Sequence, residues 1–248
     1  MKENKPLLFT LKMGIALATV TTVVFIISYA FTSYFESRKT HTSLPVFDKS
    51  SQVRFVIDPG HGGEDAGAVA SDGTLEKDLN LEIATLLATV LELNGNEVIL
   101  TREDDRLLYD HYGDLENYTG QKKVYDLKNR LKIAEENENS VYVGIHMNKF
   151  PEEKYNGAQI YYSKGNPQGY ELAMDVKDAV KTNLQPQNKR EIKHASSSIY
   201  ILNNATIPAI LIECGFLSNS EELTLLKSEA YQKQMCITLF SALAKHAG

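Results

Sequence analysis

Tryptophan is absent from the 248 residues, and only two cysteines are present. Two cysteines cannot build a disulfide framework, so the fold has to rest on a packed core. A chain of this length supports one good-sized domain or two small ones. Internal repeats and low-complexity tracts are missing too. Nor is there a cationic excess: 26 Lys+Arg stand against 32 Asp+Glu, a formal net charge of −6. Residues 1–35 hold three Lys and one Glu, so the remainder carries −8. An acidic body lacks the basic face a nucleic-acid binder needs. Charged residues at 23% with 43% hydrophobic residues exclude wholesale disorder.

What is present begins with a leader. Met13–Phe35 is a run of 23 residues without a charge, behind Lys2, Lys5 and Lys12. Spanning a bilayer as a helix takes about 20 residues, and a cleavable secretory core is shorter, about 7–15. The length favours an anchor, while Ser28-Tyr29-Ala30 resembles a small-x-small cleavage site. Residues 1–35 therefore read as a membrane anchor or signal segment, 36–51 as a tether, and 52–248 as a domain outside the cytoplasm.

Within that domain, Arg54-Phe55-Val56-Ile57 predicts a strand that stops at Asp58-Pro59-Gly60. Leu75, Leu79, Ile83, Leu86, Leu87 and Val90 predict an amphipathic helix capped by Thr74 and ended at Asn94-Gly95. A strand over 97–101 follows, then a helix with its inner face at Val124, Leu127, Leu131 and Ala134, then a strand over 141–145. Strands over 158–162, 199–202 and 209–212, a helix over 170–184, and two short helices between Glu221 and Lys245 complete the pattern. The alternation predicts an α/β fold: a single three-layer domain, its mostly parallel sheet of about six strands covered by helices on both faces.

Ligands of such sheets bind outside the carboxyl ends of the strands. His61 lies just past the first strand, Glu76 in the first turn of the next helix, and His146 and Glu213 at the ends of two further apolar strands. Any one of them alone is ordinary, since a histidine near a strand end is usually a hydrogen-bonded loop residue. Four on one rim are harder to explain without a function. Three of them make a His/Glu/His set suited to one Zn²⁺ with an open position, and the fourth is free for proton transfer. Glu213, at the end of a strongly apolar strand, is the better candidate base. His61, Glu76 and His146 are then the ligands, although spacing alone permits the two Glu to exchange roles. Four glycines surround His61 in Asp58–Gly67, and no Walker-type Gly-Lys-Ser/Thr accompanies them.

The runs Ile57-Asp58-Pro59-Gly60-His61-Gly62-Gly63, Leu75-Glu76-Lys77-Asp78, Gly144-Ile145-His146-Met147-Asn148 and Ile212-Glu213-Cys214-Gly215-Phe216-Leu217-Ser218-Asn219 resemble the zinc-dependent N-acetylmuramoyl-L-alanine amidases of the type 3 family. The likeness covers about residues 53–245. It implies that His61, Glu76 and His146 bind zinc, that Glu213 is the catalytic acid/base, and that Asp58 supports them from behind. It also implies a peptidoglycan substrate, cut at the amide between N-acetylmuramic acid and L-alanine. Gly144 and Met147 depart from the Ser and Ala common in the family, and Cys214 beside the catalytic Glu is unusual; its ordinary role is that of a small buried residue. The Tyr- and Asp-rich stretch 106–121 ahead of Arg130 is similar to the branch that acts in spore-cortex modification. With no wall-binding module, targeting falls to the leader or to an activating or positioning protein. The rival readings are a silent wall-binding protein on the same fold and a zinc peptidase cutting within the stem peptide.

Overall fold

The computed structural model describes residues 53–113, 120–136 and 139–247, with positions 22, 28 and 29. Apart from those three positions, the leader and the tether lie outside the described residues, as does the middle of the 106–121 stretch. Among the described residues no helix is long and apolar enough to cross a membrane.

The β-rich runs become β1 (Arg54–Pro59), β2 (Glu97–Leu100), β3 (Ser140–Asn148), β4 (Gln159–Tyr162), β5 (Lys193–His194) and β6 (Ala209–Phe216). Between and after them come α1 (Glu76–Leu93), α2 (Lys122–Glu135), α3 (Gln168–Asn183), α4 (Tyr200–Asn204), α5 (Ser220–Leu226) and α6 (Glu229–Leu243). All belong to the unit Asp48–Gly248. The sheet order is β2-β1-β3-β6-β4-β5. The first four strands in that order are mutually parallel. β4 runs antiparallel to β6, and β5 follows the direction of β4.

Successive strand residues point to opposite faces, so β1 feeds two cores. Phe55 and Ile57 join Ile83, Leu87, Leu172, Val176, Met235 and Leu239 of α1, α3 and α6. Val56 joins Tyr142, Ile133, Ile201, Leu202 and Leu211 on the other face, under α2 and α4. Strands buried on both faces explain the unbroken apolar run 209–212. The three-layer sheet of six strands is as expected.

Three local expectations are corrected. The predicted strand at Ile199–Leu202 is the start of α4, and the sixth strand is Lys193–His194. A four-residue apolar run has no period that separates strand from helix, and here Ile201 and Leu202 bury their side chains from a single helical turn. The cap of α1 is Leu75, with no side-chain cap bond, so Thr74 does not serve; Asn94 and Gly95 do end that helix, with φ +84° at Gly95. In α2 the fully buried face is Asp126, Asn129, Arg130, Ile133 and Ala134, while Val124 is exposed. Polar side chains occupy that face because they have partners beneath it.

Leu87 is fully buried in the α1 face of the core. Leu87→Ala should lower unfolding free energy by about 2–5 kcal/mol in urea denaturation, and a loss below about 1 kcal/mol would contradict this packing.

Candidate active site

The loop after β1 turns under two guanidinium groups. Arg130, fully buried, donates from Nη1 to Asp58 Oδ1 (2.5 Å) and Pro59 O (2.8 Å), and from Nη2 to His61 O (2.7 Å). Its Nε donates to Asp126 Oδ2 at 2.8 Å. Arg102 adds Nε to Pro59 O at 2.9 Å and Nη2 to Gly60 O at 3.1 Å. The Thr101 and Tyr142 hydroxyls donate to the two oxygens of Asp58. Burial alone would raise the Asp58 carboxyl, but the charge of Arg130 and these hydroxyls outweigh it and hold the group below the usual carboxylate range. Gly144 gives Tyr142 its room, since a Cβ there would lie 3.2 Å from the Tyr142 hydroxyl oxygen.

Carbonyls held from below leave the His61 side chain to project above. His61 sits at φ +63°, the only described non-glycine residue with positive φ. That backbone region is sparsely used by residues with a Cβ. Its Nδ1 is 3.0 Å from Asp65 Oδ2, and its Nε2 is 3.3 Å from Glu76 Oε1. Lys123 at the start of α2 reaches Asp65 at 3.1 Å. Glu76 is placed by α1 and by backbone donors, Ala68 N–H to Oε2 (2.8 Å) and Met147 N–H to Oε1 (3.1 Å). His146 Nδ1 lies 3.1 Å from the same Glu76 Oε1. Two glycines make the approach possible. A Cβ at Gly60 would meet His146 Cε1 at 2.1 Å, and at Gly67 it would meet Glu76 Oε2 at 2.6 Å.

His61, Glu76 and His146 therefore present ligand atoms all within 4.8 Å of one another, a group that could hold a metal ion. Burial would push the Glu76 carboxyl up, but hydrogen bonds and charge from both imidazoles outweigh it and hold it far below its ordinary range. The His61 imidazole, which burial would lower, is raised by Glu76 and Asp65.

Glu213 stands beside this group. It is in register with His146 on the neighbouring parallel strand. Its Oε2 is sealed from solvent and has no hydrogen-bond partner among the described residues. Burial, opposed by His146 and reinforced by Glu76, pushes its carboxyl up to about 7. A carboxyl in that range both accepts and donates a proton near neutral pH. All four rim residues predicted from the sequence thus come together, with His146 and Glu213 inside the last residues of their strands rather than just beyond them. Cys214 is fully buried in the core, a free thiol.

The sequence reading did not single out Asp65 or Arg102. Asp65 follows His61 by four residues, a spacing that a loop, unlike a helix, does not make meaningful in advance. Arg102 sits in a polar Thr-Arg-Glu-Asp-Asp run with the look of a surface turn.

Residues 55–245 match the family model described as N-acetylmuramoyl-L-alanine amidase. The chain belongs to that family, and it is an N-acetylmuramoyl-L-alanine amidase acting on peptidoglycan. It is 36% identical over 190 residues, covering 77% of this chain and 78% of the relative, to the germination-specific N-acetylmuramoyl-L-alanine amidase of Bacillus subtilis (strain 168). Among solved structures it is similar to the CwlD amidase of Clostridioides difficile, determined in complex with the GerS lipoprotein. There the TM-score is 0.72 at 39% identity, covering 78% of this chain and 98% of that one. The AmiC2 amidase of Nostoc punctiforme aligns with a TM-score of 0.64 at 32% identity, over 78% and 96% of the two chains.

Two outcomes check the loop. Arg130→Met leaves Asp58 buried without its cation and should cost about 3–5 kcal/mol in chemical denaturation. Because Asp58 is depressed in the folded state, its stabilisation is complete above the unfolded value of about 3.9 and is lost as pH falls below it. That acid limb should flatten in Asp58→Asn. Separately, Gly60→Ala should displace the His146 ring and abolish stoichiometric metal uptake in a protein that keeps its circular dichroism; full metal content would refute the close approach.

Proposed function

We propose that His61, Glu76 and His146 hold one Zn²⁺, that Glu213 is the catalytic acid/base, and that the bond cut is the amide between the lactyl group of N-acetylmuramic acid and L-alanine. The observation that carries this reading is a three-donor N/O set beside a carboxylate whose inner oxygen has no partner among the described residues. The fit to zinc rests on that donor chemistry: two imidazoles and one carboxylate suit a borderline ion and leave a position open. The Glu213 oxygen beside them is a buried polar atom that no group among the described residues satisfies. When bound, Zn²⁺ supplies a Lewis acid and an acidified water.

The chain's own residues do the rest. Asp65 accepts from His61 Nδ1, fixing the tautomer that leaves Nε2 free. Glu213 takes a proton from the attacking water at its carboxylate and returns it to the leaving amine nitrogen of L-alanine. The buried setting that raises Glu213 also strengthens every charge interaction around the developing oxyanion.

The rest of the reading concerns place and partners. Residues 1–35 anchor the chain or direct its export, 36–51 are the tether and 52–248 the catalytic domain, which works outside the cytoplasm where peptidoglycan lies. The germination-specific name of one relative supports a role in spore-cortex modification. The lipoprotein bound to another supports an activating or targeting protein partner here, which would meet the 106–121 stretch or another rim loop.

Glu213→Gln should retain one zinc per chain by elemental analysis and lose about 10²–10⁴ in turnover. His61→Ala and His146→Ala should lose the metal. Digestion of purified peptidoglycan should release new L-alanine amino termini while leaving intact muramic acid; new amino termini within the stem would make the enzyme a peptidase instead.

A further inference from the structure

Two exposed lysines of the acidic body flank an arginine held in place. The segment Lys189-Arg190-Glu191-Ile192-Lys193 leads into β5. Lys77, Lys122, Lys123, Lys227 and Lys245 are each ion-paired. Among the described residues Lys189 and Lys193 have no such partner, and both are exposed. The one anion of the segment, Glu191, is taken by Lys177 at 2.8 Å. Arg190 is fixed rather than free to swing. Its Nε donates to Asn156 O at 2.8 Å, and its guanidinium lies 4.5 Å over the Phe216 ring at the end of β6. Phe216 is held in turn by Glu222, which accepts from the N–H groups of Phe216 and Gly157, each at 2.8 Å.

The sheet register ties this segment to the catalytic carboxylate. Glu213 on β6 is paired with Gln159 on β4, and Tyr161, two residues along β4, is paired with Lys193 on β5. Alternate strand residues and directly opposed pairs share a face. Glu213, Gln159, Tyr161 and Lys193 therefore stand on one face of the sheet. Gln159 Nε2 also donates to Glu191 O at 2.7 Å, closing the gap between β4 and the segment. At about 4.8 Å per strand and 3.3 Å per residue, Lys193 lies about 12 Å from Glu213 along the sheet. An extended peptide covers that distance in about three to four residues.

We propose that Arg190 and Lys193 form the subsite for the carboxylates of the stem peptide, so that the peptide leaves the scissile amide at Glu213 and crosses β4 toward β5. This rests on the amidase reading above and adds the direction and charge of the peptide side. A stem peptide carries at least its terminal carboxylate at neutral pH. A held guanidinium above an aromatic ring and, three residues on, an ammonium without an ion pair are donors suited to it. A lysine on an edge strand also discourages strand pairing, but that role does not require Arg190 to be fixed beside it.

The test uses the full-length enzyme and two soluble muramoyl-peptides of equal length, one with free carboxyls and one with them amidated. The Arg190→Ala, Lys193→Ala double variant should raise KM for the acidic substrate about tenfold or more, with the loss in KM rather than kcat and no change in KM for the amidated one. Equal effects on both substrates, or none on either, overturn the proposal. If the wild-type enzyme cleaves neither, the functional reading fails. Calorimetric titration of the free acidic peptide then still decides the subsite, which requires wild-type binding that the double variant loses. Lys193-dependent retention on vesicles containing phosphatidylglycerol, without any preference for the acidic peptide, would assign the cations to a lipid surface and overturn the proposal as well.

Discussion

A buried ion pair, Asp58 with Arg130, is the constraint on which the site depends. Breaking such a pair strands a charge in the interior, which costs far more than the intact pair contributes. Here the pair also shares its hydrogen bonds with the chain around it. Arg130 grips the carbonyls of Pro59 and His61, Asp58 receives Thr101 and Tyr142, and Asp126 anchors Arg130 to its own helix. Three sheet strands or their extensions and one helix thus meet at a single carboxylate. The positive φ of His61 is the local strain this network maintains.

Above the network, chemistry is separated by environment. Glu76 and Glu213 are both carboxylates on one rim, yet their surroundings drive them in opposite directions. Two imidazoles and two backbone N–H groups hold Glu76 as an anion. Glu213 has an inner oxygen with no such donors, and burial raises it to about 7. A pair of acids pushed apart in this way suits the division into ligand and proton carrier that we propose. The two roles that residue spacing left exchangeable are assigned in that proposal by what each side chain touches.

Much of this was legible in the sequence, and the reasons for the rest are physical. Strand ends are marked by abrupt changes from apolar to turn residues, so His61, His146 and Glu213 could be placed on one rim without any knowledge of contacts. Apolar periodicity located α1, because that helix buries apolar side chains. It misjudged α2, whose inner face is Asp126, Asn129 and Arg130; a polar face that is buried only because its partners lie below it looks like a solvent face in one dimension. Ile199–Leu202 failed for want of length. Asp65 and Arg102 could not be found, since their significance lies in a loop that only tertiary structure closes.

The pairing of His146 with Glu213 across two neighbouring strands has a consequence for how this site endures. The spacing between those residues is set by the backbone ladder of the sheet, not by any side chain lying between them. Loops at either end can lengthen, shorten or change composition and leave that interval untouched. A relative sharing 39% of its residues can superpose over 98% of its length on this chain. What the interval rests on is short: a register, a guanidinium under a turn, and room for two rings.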